Sequence, residues 1–143
     1  MLRAISNALQ LPKSRLKSVA LLGLAAFFIN VGVDHFVNPT FYVNIMPAYL
    51  PLHLEAVYIS GFFEVLGGVC VLIPSLRSAA GWGLVALLIA VFPANIHMAL
   101  NPDLFPEIAS NLLYVRLIFQ LIFIYWAYSA TRPSMPDVLD NNR

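Results

Sequence analysis

The chain has 143 residues, of which 60% are apolar and only 10% are charged, and its mean hydropathy is +0.80. Soluble domains carry about 25% charged residues, so this composition excludes a disordered chain and argues against a soluble enzyme. The net charge of +1 offers no general attraction to nucleic acid, and a single cysteine cannot form a disulfide within the chain. We therefore expect a small integral membrane protein that contacts the lipid bilayer.

Four apolar stretches are each long enough to cross a bilayer, which takes about 20 residues. Proline-containing breaks separate them. The stretches lie at residues 17–37, 54–73, 79–100 and 107–130. They predict an all-α fold, a bundle of four transmembrane helices over residues 17–130, between an amphipathic, basic leader (1–16) and a polar tail (131–143).

The basic residues predict how this bundle is oriented. Seven of the eight lie before the first predicted span, in the turn after the second, or after the fourth: Arg3, Lys13, Arg15, Lys17, Arg77, Arg132 and Arg143. The two remaining loops contain no lysine or arginine. The positive-inside rule then places both termini in the cytoplasm. The first apolar run is too long for a cleavable signal peptide, and no small-residue cleavage site follows it.

The loop between the first two spans is rich in aromatic residues. Asn38 can cap a helix that Pro39 begins. Phe41, Tyr42 and Tyr49 favour an interfacial helix on the outer face of the membrane. The alternative is that this segment folds over the mouth of the bundle as a lid.

Polar side chains inside the spans are costly in lipid, so they usually face the protein interior. At a rise of 1.5 Å per residue, Glu64 lies about 15 Å and Arg116 about 13 Å below the outer surface. The polar residues of the spans, except the deeper Gln120, fall in the outer half of the bundle, and all four spans contribute to them. They predict one polar pocket that opens outward, formed by Asp34, His35, Glu64, Asn95, His97, Arg116 and Gln120.

Charge matching predicts a partner for the arginine of this pocket. Burying Arg116 in hydrocarbon without a partner costs at least about 2.5 kcal/mol. We expect an ion pair with Glu64, completed by Asp34 or the histidines. One interpretation is a buried salt bridge that fixes helix register. The other is a site for a polar headgroup or for proton transfer.

The two histidines at similar depth raise the question of a metal cofactor. His35 and His97 could in principle hold a haem, and nearby Asp34 and Glu64 could suit a metal ion. An intramembrane histidine more often serves as a hydrogen-bonding residue, and no tight ligand spacing occurs in the sequence. We therefore expect neither a metal nor a haem, and we interpret Cys70 as a small packing residue.

A short internal repeat links the ends of the first and third spans. Each has a histidine, then Asn-Pro, then phenylalanine, over residues 35–41 and 97–105. Two helical hairpins in parallel order would produce such a repeat. Asn-Pro is also simply a common helix-to-turn signal.

Several motifs together resemble DoxX-like membrane proteins over residues 17–130. They are Gly32-Val33-Asp34-His35-Phe36, Pro39 with Phe41, Ile45-Met46-Pro47, Ser60-Gly61 with Glu64 and Gly67-Gly68, Leu72-Ile73-Pro74 with Arg77, Phe92-Pro93-Ala94-Asn95-Ile96, and Arg116 with Gln120. This resemblance implies a small four-helix protein of the bacterial cytoplasmic membrane. It maps the polar core of that family onto His35, Glu64, Asn95 and Arg116.

The resemblance implies a role but no defined reaction. DoxX-like proteins include subunits of a quinone-reducing complex and assembly factors. We therefore expect a membrane subunit of a redox or respiratory complex, with a protein partner or a second copy of the chain, that binds quinone in the polar pocket. The alternative is a non-catalytic assembly factor or scaffold whose buried polar network is structural.

Overall fold

The computed structural model describes residues 11–133. Within this range the chain is all α, without a strand. Its helices are α1 (Arg15–Val37), α2 (Pro39–Asn44), α3 (His53–Cys70), α4 (Arg77–Leu100) and α5 (Ser110–Thr131), with a 3-10 turn at Pro102–Leu104. The predicted all-α fold is confirmed, whereas most of the predicted leader and of the polar tail lies outside the described residues.

Three helices are long and apolar enough to span a membrane: α1, α4 and α5. Large apolar side chains on them point outward, among them Leu16, Ile89 and Ile118, each more than half exposed. Apolar surface of this extent is what a bilayer covers. The chain is therefore a multi-pass membrane protein.

Helix α3 is shorter than predicted and is not one of these three helices. It has 18 residues and includes Glu55 and Glu64. It ends at Cys70, three positions before the predicted end of the second span, and turns occupy the chain up to Arg77. Pro74 explains the early end, because proline has no N–H and disfavours helix in the residue before it.

Helices α1 and α3 cross closely at a pair of glycines. A Cβ on Gly32 would lie 2.7 Å from the carbonyl oxygen of Gly61, and a Cβ on Gly61 would lie 2.6 Å from the Cβ of His35. Only glycine permits this approach of two backbones, as in other membrane helix pairs. The crossing brings His35 of α1 against Glu64 of α3.

Helices α4 and α5 form a second antiparallel pair that packs against the first. An apolar core of α1, α4 and α5 residues lies toward the end of the bundle where α4 begins, with Leu21, Leu24, Phe28, Leu84 and Ala127 among its members. A smaller apolar cluster lies at the opposite end, around Met98 and Leu113. The polar residues predicted to form a pocket lie mostly between these two clusters.

Helices α1 and α4 end in the same way. Their C-terminal flanking residues, Asn38 and Asn101, have φ and ψ of −124° and 51°, and −129° and 59°. The backbone N–H of each donates to the residue four positions earlier, Asp34 or His97, and a proline then begins a short helical segment. The two helix ends are therefore alike, as the common Asn-Pro signal also predicts, in a register that equates His97 with Asp34 and not with His35. A superposition of the two whole hairpins stays a prediction.

The helix predicted from Pro39 forms, but its start differs from the prediction. The side chain of Asn38 makes no capping hydrogen bond to α2. Its amide instead donates back to a carboxylate oxygen of Asp34, over 2.5 Å. Because that acceptor lies one helical turn earlier, Asn38 serves the end of α1 rather than the start of α2.

Candidate functional site

A cavity of about 400 Å³ lies between α1, α2, α3, α4 and α5. Five of the seven predicted pocket residues line it: His35, Glu64, Asn95, Arg116 and Gln120. The other walls are largely aromatic, with Phe27, Phe28, Phe41, Tyr42, Phe119 and Phe123. An apolar cavity with a few converging polar groups is the usual form of a small-molecule site.

The α4–α5 wall of this cavity is a continuous chain of hydrogen bonds. The guanidinium of Arg116 donates to the side-chain oxygen of Asn95, from Nη2 over 3.0 Å and from Nε over 3.3 Å. Asn95 donates to the amide oxygen of Gln120 over 3.0 Å. Gln120 donates to the backbone carbonyl of Leu88 over 2.7 Å. Each amide in this chain thus has both a donor and an acceptor partner.

The α1–α3 wall leaves a carboxylate oxygen without a donor. Glu64 is 6% exposed, and its Oε2 has no hydrogen-bond partner among the described residues. The nearest candidate is Nδ1 of His35 at 3.1 Å. That nitrogen also lies 2.8 Å from the backbone carbonyl of Val31. A carbonyl can only accept, so the Nδ1–H is directed to Val31, and Glu64 receives a close contact without a well-formed hydrogen bond.

The predicted ion pair between Arg116 and Glu64 is wrong. The only acceptor that Arg116 contacts in the described part of the chain is Asn95, through two of its nitrogens. The carboxylate lies beside α1, whereas the guanidinium lies beside α4. The two charged groups therefore face the same cavity from different walls without direct contact.

Tyr42 is a site residue that the sequence did not single out. Its ring stacks on the imidazole of His35, with centroids 3.7 Å apart and planes 21° apart. Its hydroxyl donates to Asp34 over 2.7 Å. Burial, followed by this hydrogen bond, raises the pKa of Tyr42 above its usual value, so the hydroxyl remains a donor. Because Tyr42, Phe41 and Ile45 of α2 line the cavity, α2 forms part of its wall, as the lid interpretation expects.

Two predicted pocket residues do not line the cavity. Asp34 accepts hydrogen bonds from Asn38 and Tyr42 and lies outside the cavity lining. His97 lies at the end of α4, where its ring contacts Asn101 and packs edge-on against Phe105. Within residues 11–133, no three histidine, cysteine or acidic side chains form a group that could hold a metal ion.

Residues 24–131 match a protein family that is described as a domain of unknown function (DUF8561). The chain belongs to this family. The match begins in α1 and ends at the last residue of α5, so it includes every residue that lines the cavity. No curated protein matches the chain. No solved structure matches it either.

Proposed function

We propose that the chain is a four-span membrane subunit of a redox-associated complex, similar to DoxX-like proteins, and that its cavity binds the ring of a quinone. One observation carries this proposal. A buried carboxylate oxygen of Glu64 has no donor, and it faces a cavity that also presents Arg116. Leaving a buried polar atom unsatisfied costs about 1–3 kcal/mol, so such an atom calls for a ligand or a functional reason.

The helix directions support four spans rather than three. Contacts of Gly32 with Gly61, and of Gly68 with Ala25, make α1 and α3 antiparallel. Residues 63–70 of α3 share a cavity with residues 79–90 of α4, and residues 56–60 share one with residues 90–94, so α3 and α4 are antiparallel too. Hence α1 and α4 are parallel. If both of these cross the membrane in one direction, the chain between them has to return, and α3 is the helix that runs back beside them.

The charges support cytoplasmic termini. Arg15 begins α1, Arg77 begins α4 and Arg132 follows α5, so these arginines share one end of the bundle. There Arg132 donates to the carbonyl of Ser78 over 2.8 Å. The loops at the other end carry no lysine or arginine. This asymmetry favours a cytoplasmic face at the arginine end and an outer face at the α2 end, in a bacterial cytoplasmic membrane.

The residues of the cavity suit a quinone, a flat ring with two carbonyl acceptors that takes up two electrons and two protons. Arg116 has five N–H donors, and its Nη1 makes no hydrogen bond within the described residues. It would donate to a ring carbonyl oxygen. The phenylalanines would pack against the ring faces, and Glu64 would hold a proton at Oε2.

The alternative function is an assembly factor or scaffold in which the polar network is structural. The completed chain of hydrogen bonds from Arg116 to Leu88 favours this role, because it joins α4 to α5 without a ligand. The unsatisfied Glu64 oxygen favours quinone binding instead. In either case, we propose that the chain works with a partner subunit or with a second copy of itself.

A fluorescence titration tests the quinone proposal. Trp126 lies behind the cavity wall, with its ring centroid 6.0 Å from that of Phe27. A Trp82→Phe background leaves Trp126 as the only tryptophan. In nanodiscs, we expect duroquinone, a fully substituted ring without a tail, to quench Trp126 saturably. Arg116→Gln and Glu64→Leu should weaken this binding at least tenfold.

The matched control for the acidic residue is Glu55→Gln on the same helix, where the carboxylate is exposed. It should leave quenching unchanged. Non-saturable quenching in every variant would overturn the quinone proposal and favour the scaffold.

The four-span topology has its own test. In a Cys70→Ser background, Ala48→Cys should react with a membrane-impermeant maleimide in intact cells, and Ser75→Cys only after permeabilisation. The reverse pattern would overturn the orientation. Equal reactivity of both sites in intact cells would overturn a crossing by α3.

A further inference from the structure

We propose that the cleft between α3 and α4 binds the isoprenoid tail of the ligand whose ring occupies the polar cavity. This inference rests on the proposed function and extends it to the substrate class, a membrane quinone with a long tail. The observation that carries it is a series of cavities along one helix pair, polar at one end and apolar at the other.

The first part of this cleft adjoins the polar cavity. It has a volume of about 360 Å³ and lies mainly between α3 and α4, between residues such as Val57, Ser60 and Ala94. It shares five lining residues with the polar cavity: His35, Tyr42, Ile45, Val91 and Ala94. The stacked pair His35 and Tyr42 thus stands at the junction of the two.

The second part continues toward the arginine end of the bundle. It has a volume of about 550 Å³ and shares Ala90 with the first part. Its walls are apolar, with Phe63, Leu66 and Leu87, and Cys70 also lines it. A Cβ on Gly83 would meet no atom within 4 Å, so no neighbouring side chain fills the groove at this point.

The depth of the polar cavity selects a quinone tail rather than a phospholipid chain. Glu64 lies eleven positions into α3 from His53, which is about 16 Å along the helix axis. A phospholipid whose phosphate reached that depth would have to bring its charged headgroup out of water and into the bundle, at a high desolvation cost. A quinone ring is neutral and can lie at this depth, with its tail passing through the junction at His35 and Tyr42 into the apolar cleft.

Labelling of Cys70, the only cysteine of the chain, tests where the tail lies. N-phenylmaleimide would be applied to the protein in nanodiscs of fixed phospholipid composition. A ubiquinone with a full isoprenoid tail should slow labelling of Cys70 at least fivefold, whereas duroquinone should leave the rate unchanged. Because phospholipid is present throughout, slower labelling on addition of ubiquinone would be due to the isoprenoid tail and not to a phospholipid acyl chain.

The control cysteine faces lipid on the same helix pair. In Cys70→Ala with Ile89→Cys, the new thiol replaces a side chain that is 56% exposed and does not line the cleft. Its labelling should not respond to ubiquinone. Equal slowing at both positions would mean nonspecific partitioning and would overturn the proposal.

Filling the cleft gives a second, independent readout. Gly83→Leu should weaken ubiquinone binding at least tenfold in the Trp126 assay and change duroquinone binding less than twofold. Ala86→Leu, in the same cleft, should act in the same direction. The matched control Ala26→Leu replaces an exposed alanine of α1 and should change neither affinity.

The outcomes separate this inference from the function on which it rests. If both quinones quench Trp126 saturably while Cys70 is unprotected and Gly83→Leu is without effect, the tail lies elsewhere and the quinone site stands. If neither quinone quenches saturably, the proposed function fails, and the tail site fails with it.

Discussion

The two polar walls of the cavity differ in how completely their groups are paired. On the α4–α5 wall, Arg116, Asn95 and Gln120 form a chain of hydrogen bonds that ends on a backbone carbonyl. On the α1–α3 wall, Glu64 is as buried as Gln120 but lacks a donor for one oxygen. The two amides of the first wall are fully paired without a ligand, whereas Glu64 on the second wall is not. Stability should therefore depend on Asn95 and Gln120, and ligand binding on Glu64 together with the remaining N–H groups of Arg116.

The largest expected effect concerns the helix crossing that holds the α1–α3 wall together. Gly61→Leu would drive a side chain into His35 and into the carbonyl of Gly32. We expect a loss of at least about 3 kcal/mol of stability, or no folded protein, because two backbones must separate. The thermal midpoint in mild detergent measures this. Gly83→Leu is the control and should fold normally. Equal stability of both variants would show that the crossing is not tight.

The second prediction concerns the paired wall. Asn95→Leu removes the central link, so Arg116 loses its acceptor and the amide oxygen of Gln120 loses its donor. At about 1–3 kcal/mol for each unsatisfied group, the thermal midpoint should fall clearly.

Asn30→Leu is the matched control, because that exposed amide bonds only to a carbonyl of its own helix. A midpoint for Asn95→Leu within error of the control would contradict a structural role for the wall.

The third prediction concerns Glu64 on the α1–α3 wall, where we expect the opposite effect on stability. Glu64→Leu introduces the same side chain as Asn95→Leu, but the carboxylate that is lost had no hydrogen-bond partner at Oε2. Removing a buried polar atom that has no hydrogen-bond partner also removes its desolvation penalty of about 1–3 kcal/mol. We expect an unchanged or raised thermal midpoint together with loss of duroquinone binding. Destabilisation as large as that of Asn95→Leu would remove the contrast between the walls.

The smallest expected effect concerns α2. Tyr42→Phe keeps the stacking on His35 and removes only the hydroxyl that binds Asp34. The cost should be about 1 kcal/mol, the usual worth of one hydrogen bond. Tyr114→Phe, at a position 55% exposed, is the control and should be neutral. No difference between the two variants would show that this hydrogen bond does not hold α2 on the cavity.

Hydropathy and proline positions were sufficient to predict the helices to within a few residues. Helical rise was sufficient to predict that Glu64, Asn95 and Arg116 share one cavity, because polar side chains in lipid usually face the protein interior. The hydrogen-bond partners of these residues do not follow from depth. Charge matching favoured Glu64 for Arg116, but the choice depends on which helices pack together, and α4 and α5 place Asn95 nearer.

Tyr42 was missed for a different reason. Its position in the cavity follows from the turn at Asn38, which folds a short helix back over the bundle. That turn carries no periodic signal, so the contacts of Tyr42 with Asp34 and His35 could not be predicted from spacing along the chain. His97 is the converse case. It lies at a similar depth to His35, yet the end of α4 carries it outside the cavity.

The most direct test of the quinone site is a native mass spectrum of the protein released from its membrane in mild detergent. We expect an added mass that matches a tailed quinone on the wild type and on Asn30→Leu, and no added mass on Glu64→Leu. A bare chain in the wild-type spectrum, or a ligand that Glu64→Leu retains in full, would contradict a quinone site built on the unpaired wall.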